Sequence, residues 1–338
     1  MLKAGIVGFG FMGQMHYRCL RNLEGVQVAA VCDSNPDIDK IAGSVKGNIE
    51  GNQGAVDFSE FELFQDFDTM LEKADLDIIS ITLPTYLHKA FTVKALEHGI
   101  NVFCEKPMAL DVDECSEMIS AARKSGKELM VGHCIRFWPE YVKAKEIIDS
   151  GKYGKVISAV FQRLGSPPNW GDSWFKNEKQ SGGMALDLHI HDTDYIQYLF
   201  GLPKSVLSSS AANSNGLMTY ISTRYEYEDG KLVIADGSWA MTASFGFQMS
   251  FNIAMETAVL VFDCTRDPAL RLCPADGEAY SPEVAEGDGY SRELKYFIDK
   301  VNGKPTEDII TDEQSARSVQ IIKAELESAK TANKVIIK

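Results

Sequence analysis

The chain has 338 residues, enough for two cores of ordinary domain size. Its composition, 45% hydrophobic and 24% charged, is that of a globular protein, and a net charge of −14 with no basic patch argues against duplex nucleic acid as a partner. No apolar run is long enough to span a membrane, and the first residues lack the basic end and apolar core of a secretory leader, so a cytoplasmic protein with no membrane partner is expected.

The first third alternates apolar strands with helical stretches. Strands are predicted at Lys3–Val7, Gln27–Cys32, Asp77–Ile81, Asn101–Phe103 and Glu128–Val131, and helices at about 12–22, 66–73, 86–98 and 111–125. Continuous apolar strands separated by helices indicate a parallel sheet covered on both faces. Residues 43–57, rich in Gly, Asn and Gln, read as a loop within this domain.

After about residue 133 the rhythm changes. A helix is predicted at 139–150, a strand at 155–164, then an aromatic, Pro-rich loop at 165–175 and a helical segment at 183–200 that Gly201 and Pro203 stop. Strand-like runs follow at Met218–Tyr227, Leu232–Ala240, Phe247–Ile253 and Ala258–Phe262. Their short connections predict antiparallel pairing. Helices at about 289–302 and 311–330 close the chain. The expected division is a nucleotide-binding domain over 1–132 and a substrate-binding and oligomerisation domain over 133–338.

The seven cysteines are scattered, with no C-x-x-C pair and no zinc spacing, so free thiols and no metal site are expected. Gly8-Phe9-Gly10-Phe11-Met12-Gly13 matches G-x-G-x-x-G, follows an apolar strand and opens a helical segment. A second strand ends at Asp33, 20 residues past Gly13. This is the dinucleotide-binding arrangement, in which glycines permit a tight turn and the helix N-terminus offers amides to the pyrophosphate. A carboxylate at Asp33 accepts from both ribose hydroxyls and repels a 2′-phosphate, which favours NAD over NADP. Cys104-Glu105-Lys106-Pro107 follows the fifth predicted strand, where a lysine would stand at the ligand crevice.

In Ser181–Asp192, SGGMALDLHIHD, a strand would point His189 and His191 to one face, whereas a helix separates them and puts Asp187 with His191. The helical prediction over 183–200 selects the second arrangement and disfavours a zinc-hydrolase H-x-H site. His16 and His98 carry no functional sign, and His133 ends a strand near the expected crevice. Arg136, Arg163, Trp170 and Trp174 are candidates for substrate recognition, since sugars pack C–H faces on aromatic rings while polar groups read their hydroxyls.

Taken together, the N-terminal glycine motif, EKP at 105–107 and SGG followed by D-x-x-x-H-D from Asp187 resemble the Gfo/Idh/MocA family, over nearly the whole chain and in the right order. The resemblance implies an α/β protein: an N-terminal Rossmann doubly wound parallel sheet, then a C-terminal α/β domain with a large open, mostly antiparallel sheet that builds homodimers or homotetramers. It implies hydride transfer between NAD(P) and a sugar, polyol or cyclitol. It assigns Lys106, Asp187 and His191 to catalysis and substrate contact, Lys106 and Glu105 also to the cofactor, and Thr82, Leu83, Pro84 and His88 to the cofactor's flank. It also implies a cis bond before Pro107. Relatives supply two alternatives, an NAD-dependent glycosidase working by transient oxidation and a regulator that only senses the dinucleotide. Oxidation of an alcohol needs a base, for which His191 and Lys106 both qualify, and positioned groups of this kind contribute roughly 10²–10⁴ in rate.

Overall fold

The computed structural model describes residues 1–41, 56–168 and 174–338. Most of the Gly/Asn-rich stretch at 43–57, and Trp170, lie outside these residues. The chain forms two compact units: Met1–Cys134 with Pro168–Ser181 and Gly289–Ala316, and Ile135–Pro167 with Gly182–Asp288 and Arg317–Lys338.

The first unit holds six parallel strands, β1 (Leu2–Val7), β2 (Val26–Cys32), β3 (Glu62–Phe64), β4 (Ile78–Ile81), β5 (Asn101–Glu105) and β6 (Leu129–Gly132), in the order β3-β2-β1-β4-β5-β6. Helices α1 (Phe11–Arg21), α2 (Ile38–Ile41), α3 (Phe67–Lys73), α4 (His88–Glu97) and α5 (Val112–Ser125) lie between the strands. Every residue of β4 and β6 is buried, as a strand covered on both faces requires. Local signals bound the helices: Asp66 caps α3 through the Thr69 amide, Asp111 caps α5 through the Glu114 amide, and Gly126 ends α5 at φ +67°. The order reverses between β1 and β4, which opens a crevice at the strands' C-terminal ends. The three-residue β3 was missed in the sequence because it is too short to show a pattern.

The second unit carries α6 (Pro139–Asp149), β7 (Val156–Gly165) and, after the first unit's short α7 (Glu178–Ser181), helix α8 (Ile190–Phe200). Its remaining strands are β8 (Ser205–Ala212), β9 (Met218–Glu226), β10 (Leu232–Ser238), β11 (Phe247–Met255), β12 (Ala258–Asp263), β13 (Leu270–Pro274) and β14 (Val335–Ile336). They form an eight-stranded sheet in the order β13-β12-β11-β7-β10-β9-β8-β14. The pairing is antiparallel except between β7 and β10, which are parallel. The sequence predicts antiparallel pairing because neighbouring runs are joined by short turns. β7 and β10 are not neighbours in sequence: α8 and the β8–β9 hairpin lie between them and supply the crossover. β8, of sequence SVLSSSAA, lacks the apolar alternation that marks a strand.

Helix α9 (Gly289–Val301) folds with the first unit, where Phe297 meets Phe103 edge-on and Ser291 lies 3.4 Å from Cys19. Helix α10 (Asp312–Thr331) continues into the second unit. All seven cysteines are free, and among the described residues no helix is long and apolar enough to cross a membrane.

Candidate active site

Because the strands of the first sheet are parallel, the residue after each strand lies at the same edge. Gly8 follows β1, Asp33 follows β2, Thr82 follows β4 and Lys106 follows β5. Four sequence-predicted residues therefore line the crevice where the strand order reverses.

The glycine loop is built for close approach. A Cβ on Gly13 would lie 2.1 Å from the Gly8 carbonyl oxygen, and one on Gly8, whose φ is +86°, would lie 2.9 Å from the Thr82 carbonyl oxygen. At Gly10, by contrast, an added Cβ meets nothing within 4 Å, and this exposed residue caps α1 without a side chain. The first turn of α1 follows directly, an arrangement that fits a dinucleotide pyrophosphate. Phe9 turns the other way, into a buried cluster with Tyr17, Phe58 and Phe61, while Phe11 and Met12 are half-buried.

Around the loop, several expected cofactor contacts act on the protein itself. The Phe9 amide donates to Asp33 Oδ2 at 2.7 Å and the Asn35 amide to Oδ1 at 2.9 Å, so Asp33 stands as an oriented carboxylate at the end of β2. The Thr82 hydroxyl donates to the Gly8 carbonyl at 2.6 Å and fastens the loop to β4.

His88 is 1% exposed, and its ring nitrogens lie 2.8 Å from the carbonyl oxygens of Pro107 and Leu83. It therefore joins the two chain segments that follow β4 and β5. A neutral imidazole donates only one hydrogen bond. Burial nonetheless pushes the His88 pKa down, outweighing both carbonyls and the Glu105 charge.

Lys106 is half-buried, and its bond to Pro107 is cis. Its amide donates to Glu105 Oε2 at 3.2 Å. Glu105 is buried, and its other oxygen lies 2.8 Å from His16 Nε2, whose ring partner Nδ1 is 2.6 Å from the Ser80 hydroxyl. Burial pushes the Glu105 carboxyl up, but the hydrogen bond and charge of His16, with Lys106 and His88, hold it below its ordinary range. His16 thus has a structural role: it ties α1 to β4 and to the residue beside Lys106. Glu293 joins this buried group, whose candidate ligand atoms lie within 4.8 Å of one another. His133 is also buried, at 1% exposure.

In the second unit, Gly182 and Gly183 have φ of +75° and +77° and lead into a π-helical turn over Ala185–His189, which runs on into α8. Asp187 and His191 are half-buried, while the three residues between them are buried. Asp187 and His191 thus lie on the more exposed side of this segment, and His189 inside. Turns of this kind recur at functional sites.

The three residues after His191 are each anchored to a different partner set. Asp192 accepts from Arg163 of β7 at 2.9 and 3.1 Å, Thr193 meets Tyr225 of β9 at 3.0 Å, and Asp194 accepts from Arg136 at 2.8 Å through both oxygens. Arg136 and Arg163 were expected to face substrate; at 1% and 3% exposure their guanidiniums instead turn inward. The reason is electrostatic, since two fully buried carboxylates on α8 demand paired cations. Trp174 is half-buried and stacks on Phe175 at 3.9 Å within the first unit.

Sequence reasoning passed over Glu325, Tyr225 and Thr193, which surround His189. One signal was available for Glu325: it falls three residues after the buried Ile322, on the inward stripe of α10.

Comparison with known proteins agrees with this geometry. The profile of an oxidoreductase family with an NAD-binding Rossmann fold matches residues 2–133, and that of the GFO/IDH/MocA C-terminal domain matches residues 141–261. A 2,7-anhydro-N-acetylneuraminate hydratase from Mediterraneibacter gnavus is 34% identical over 207 residues, 60% of this chain but only 50% of that protein. An inositol 2-dehydrogenase from Salmonella typhimurium is 35% identical over 319 residues, 89% of this chain and 86% of its own length. Among solved structures, an aldose-aldose oxidoreductase from Caulobacter crescentus superposes with a TM-score of 0.84 at 21% identity, covering 99% of both chains. A crevice lined by a glycine loop, Asp33 and Lys106, two matched family domains and a near-full-length relative lead to one conclusion: this chain belongs to the Gfo/Idh/MocA family of oxidoreductases.

Proposed function

We propose that this chain is an NAD-dependent dehydrogenase of a sugar, sugar derivative or cyclitol. The observation that carries the reading is the common edge of the parallel sheet, where the glycine loop, Asp33 and Lys106 follow β1, β2 and β5 on either side of the point where the strand order reverses. The cofactor, held by the glycine loop and Asp33, would supply the hydride acceptor for the carbinol carbon. The chain's own residues do the rest. The α1 amides and glycine loop hold the pyrophosphate, and Asp33 accepts from the ribose hydroxyls. Lys106 donates to the substrate oxygen and stabilises the developing alkoxide. His191 takes the hydroxyl proton, with Asp187 on the same face to orient the substrate. Alcohol and NAD⁺ thus give a carbonyl, NADH and one proton. Asp33 supports NAD over NADP by charge, as a 2′-phosphate would face a fixed carboxylate.

A specific observation favours a second reading. The relative from Mediterraneibacter gnavus is named a hydratase, so transient oxidation with no net NADH is the alternative on the same residues. A panel of sugars, glycosides and cyclitols with NAD⁺ separates the two. Accumulating NADH supports dehydrogenation, and a changed sugar without NADH supports the transient route.

We also propose a homodimer or homotetramer. Val261, Asn252, Val160, Ile234, Arg224 and Leu207 form one row across six strands of the mixed sheet, on the face where every member is half-buried or exposed. Four of the six are apolar, which suits a sheet face covered by another subunit. The free cysteines, five of them buried, support a reducing, cytoplasmic setting.

A further inference from the structure

His189 lies inside the π-helical turn that carries Asp187, two residues before His191, and is fully buried. Its Nε2 is 3.1 Å from Oε2 of Glu325, which is also fully buried. The other Glu325 oxygen accepts from the Tyr225 hydroxyl at 2.8 Å and from Thr193 at 3.1 Å. Tyr225 in turn lies 3.4 Å from His189 Nε2. The side chain packs closely against β10 at Gly237, where an added Cβ would come within 2.7 Å of its Nδ1. Four elements of the second unit therefore fix this ring, namely the π turn, β9, β10 and α10.

A buried ion pair of this kind is poor evidence for stability, because apolar side chains of similar volume usually do as well. What it supplies is direction. A π turn is one residue wider than an α turn, so the same sequence can slip toward ordinary helix, which keeps Asp187 and His191 on one face but changes the angle and rise between them. The anchors at Asp192, Thr193 and Asp194 all lie in α8, beyond the turn, and leave that slip open. His189 is anchored within the turn itself.

We infer that His189 and Glu325 are positioning residues: their pair locks the π turn and so sets where Asp187 and His191 point. The assignment rests on the acid/base reading of those two residues given above. The charges that face His189 are Glu325 from α10, Asp192 from α8 and Asp236 from β10. Burial alone would lower the His189 pKa, but these charges outweigh it and raise it above the ordinary imidazole value.

Glu325→Gln keeps an acceptor for Tyr225 and Thr193 but removes the charge. The full-length variant is compared with the parent by NMR titration of the His191 ring, assigned by its loss in His191→Asn. The expected result is a shift of about half a pKa unit or more in His191. On whichever panel alcohol yields NADH, kcat should fall about tenfold with KM for NAD⁺ unchanged, a split that general loss of stability would not give. His189→Gln combined with Glu325→Gln, two amides that can still bond, should restore most of kcat, the coupling a double-mutant cycle detects. An unchanged His191 titration in folded Glu325→Gln overturns the positioning role. Should that variant not fold, Tyr225→Phe removes one donor to Glu325 and should move the same titration in the same direction; no movement overturns the role equally. Full activity in His191→Asn would instead overturn the acid/base reading, while the titration still reports on the pair.

Discussion

The two units hold their candidate reactive groups by different physics. In the first, Lys106 and the glycine loop are set mainly through backbone groups, since Thr82 and His88 reach carbonyl oxygens and the Phe9 amide reaches Asp33, with one buried pair, His16–Glu105, beside Lys106. In the second, the helix bearing His191 is set by charge, with Arg163–Asp192, Arg136–Asp194 and His189–Glu325 all buried. A backbone-held site tolerates side-chain exchange except where a glycine or a reacting group stands. A charge-held site fails when either member of a pair is lost.

The largest effect should come from the reacting groups. Lys106→Ala should lower kcat by roughly 10²–10⁴ while NAD binding, measured by fluorescence titration, persists. Near-normal turnover would remove Lys106 from the chemistry.

Next come the buried pairs. Replacing Arg136 by Met leaves Asp194 buried without its paired cation and should cost about 3–5 kcal/mol in urea unfolding. Replacing both residues by apolar ones should recover most of that loss. If the double variant is no better than the single, charge is not what holds α8. In the first unit, Gly13→Ala should cost about 1–3 kcal/mol, because its Cβ meets the Gly8 backbone, and should weaken NAD binding in parallel.

Two buried histidines sharpen the contrast through pH. The His88 pKa is lowered from 6.5, so its contribution to stability is full above pH 6.5 and is lost as pH falls through the folded value. The His189 pKa is raised from 6.5, so its contribution is full below pH 6.5 and is lost as pH rises through the folded value. Unfolding free energies across pH should show both limbs. His88→Gln should flatten the acid limb alone, and His189→Gln the alkaline limb alone. A variant that flattened the opposite limb would reverse the assignment. The smallest effect is expected at Asp33→Ala, which should raise KM for NAD and relax discrimination against NADP.

The same contrast explains what could be read from sequence. The glycine loop, Asp33 and Lys106 are local signals, each tied to a strand end by a few residues of pattern. Asp187 and His191 were legible because four residues make roughly one helical turn, although the π geometry of that turn left no mark in the sequence. The ionic anchors were not legible as pairs. Arg136 and Asp194 are 58 residues apart, and His189 and Glu325 come from segments separated by most of the second sheet. An arginine that will be buried against an aspartate looks, in sequence, like an arginine free to meet a sugar. His16 was passed over for a similar reason: its partners Ser80 and Glu105 come from two later strands.

The most direct test of the central claim is NADH absorbance from the full-length protein with NAD⁺ and a panel of sugars, glycosides and cyclitols, run beside Lys106→Ala. NADH should form with at least one polyhydroxy alcohol, and its formation should be lost in the variant. NAD binding without NADH and without any change in the sugars, in parent and variant alike, would contradict it.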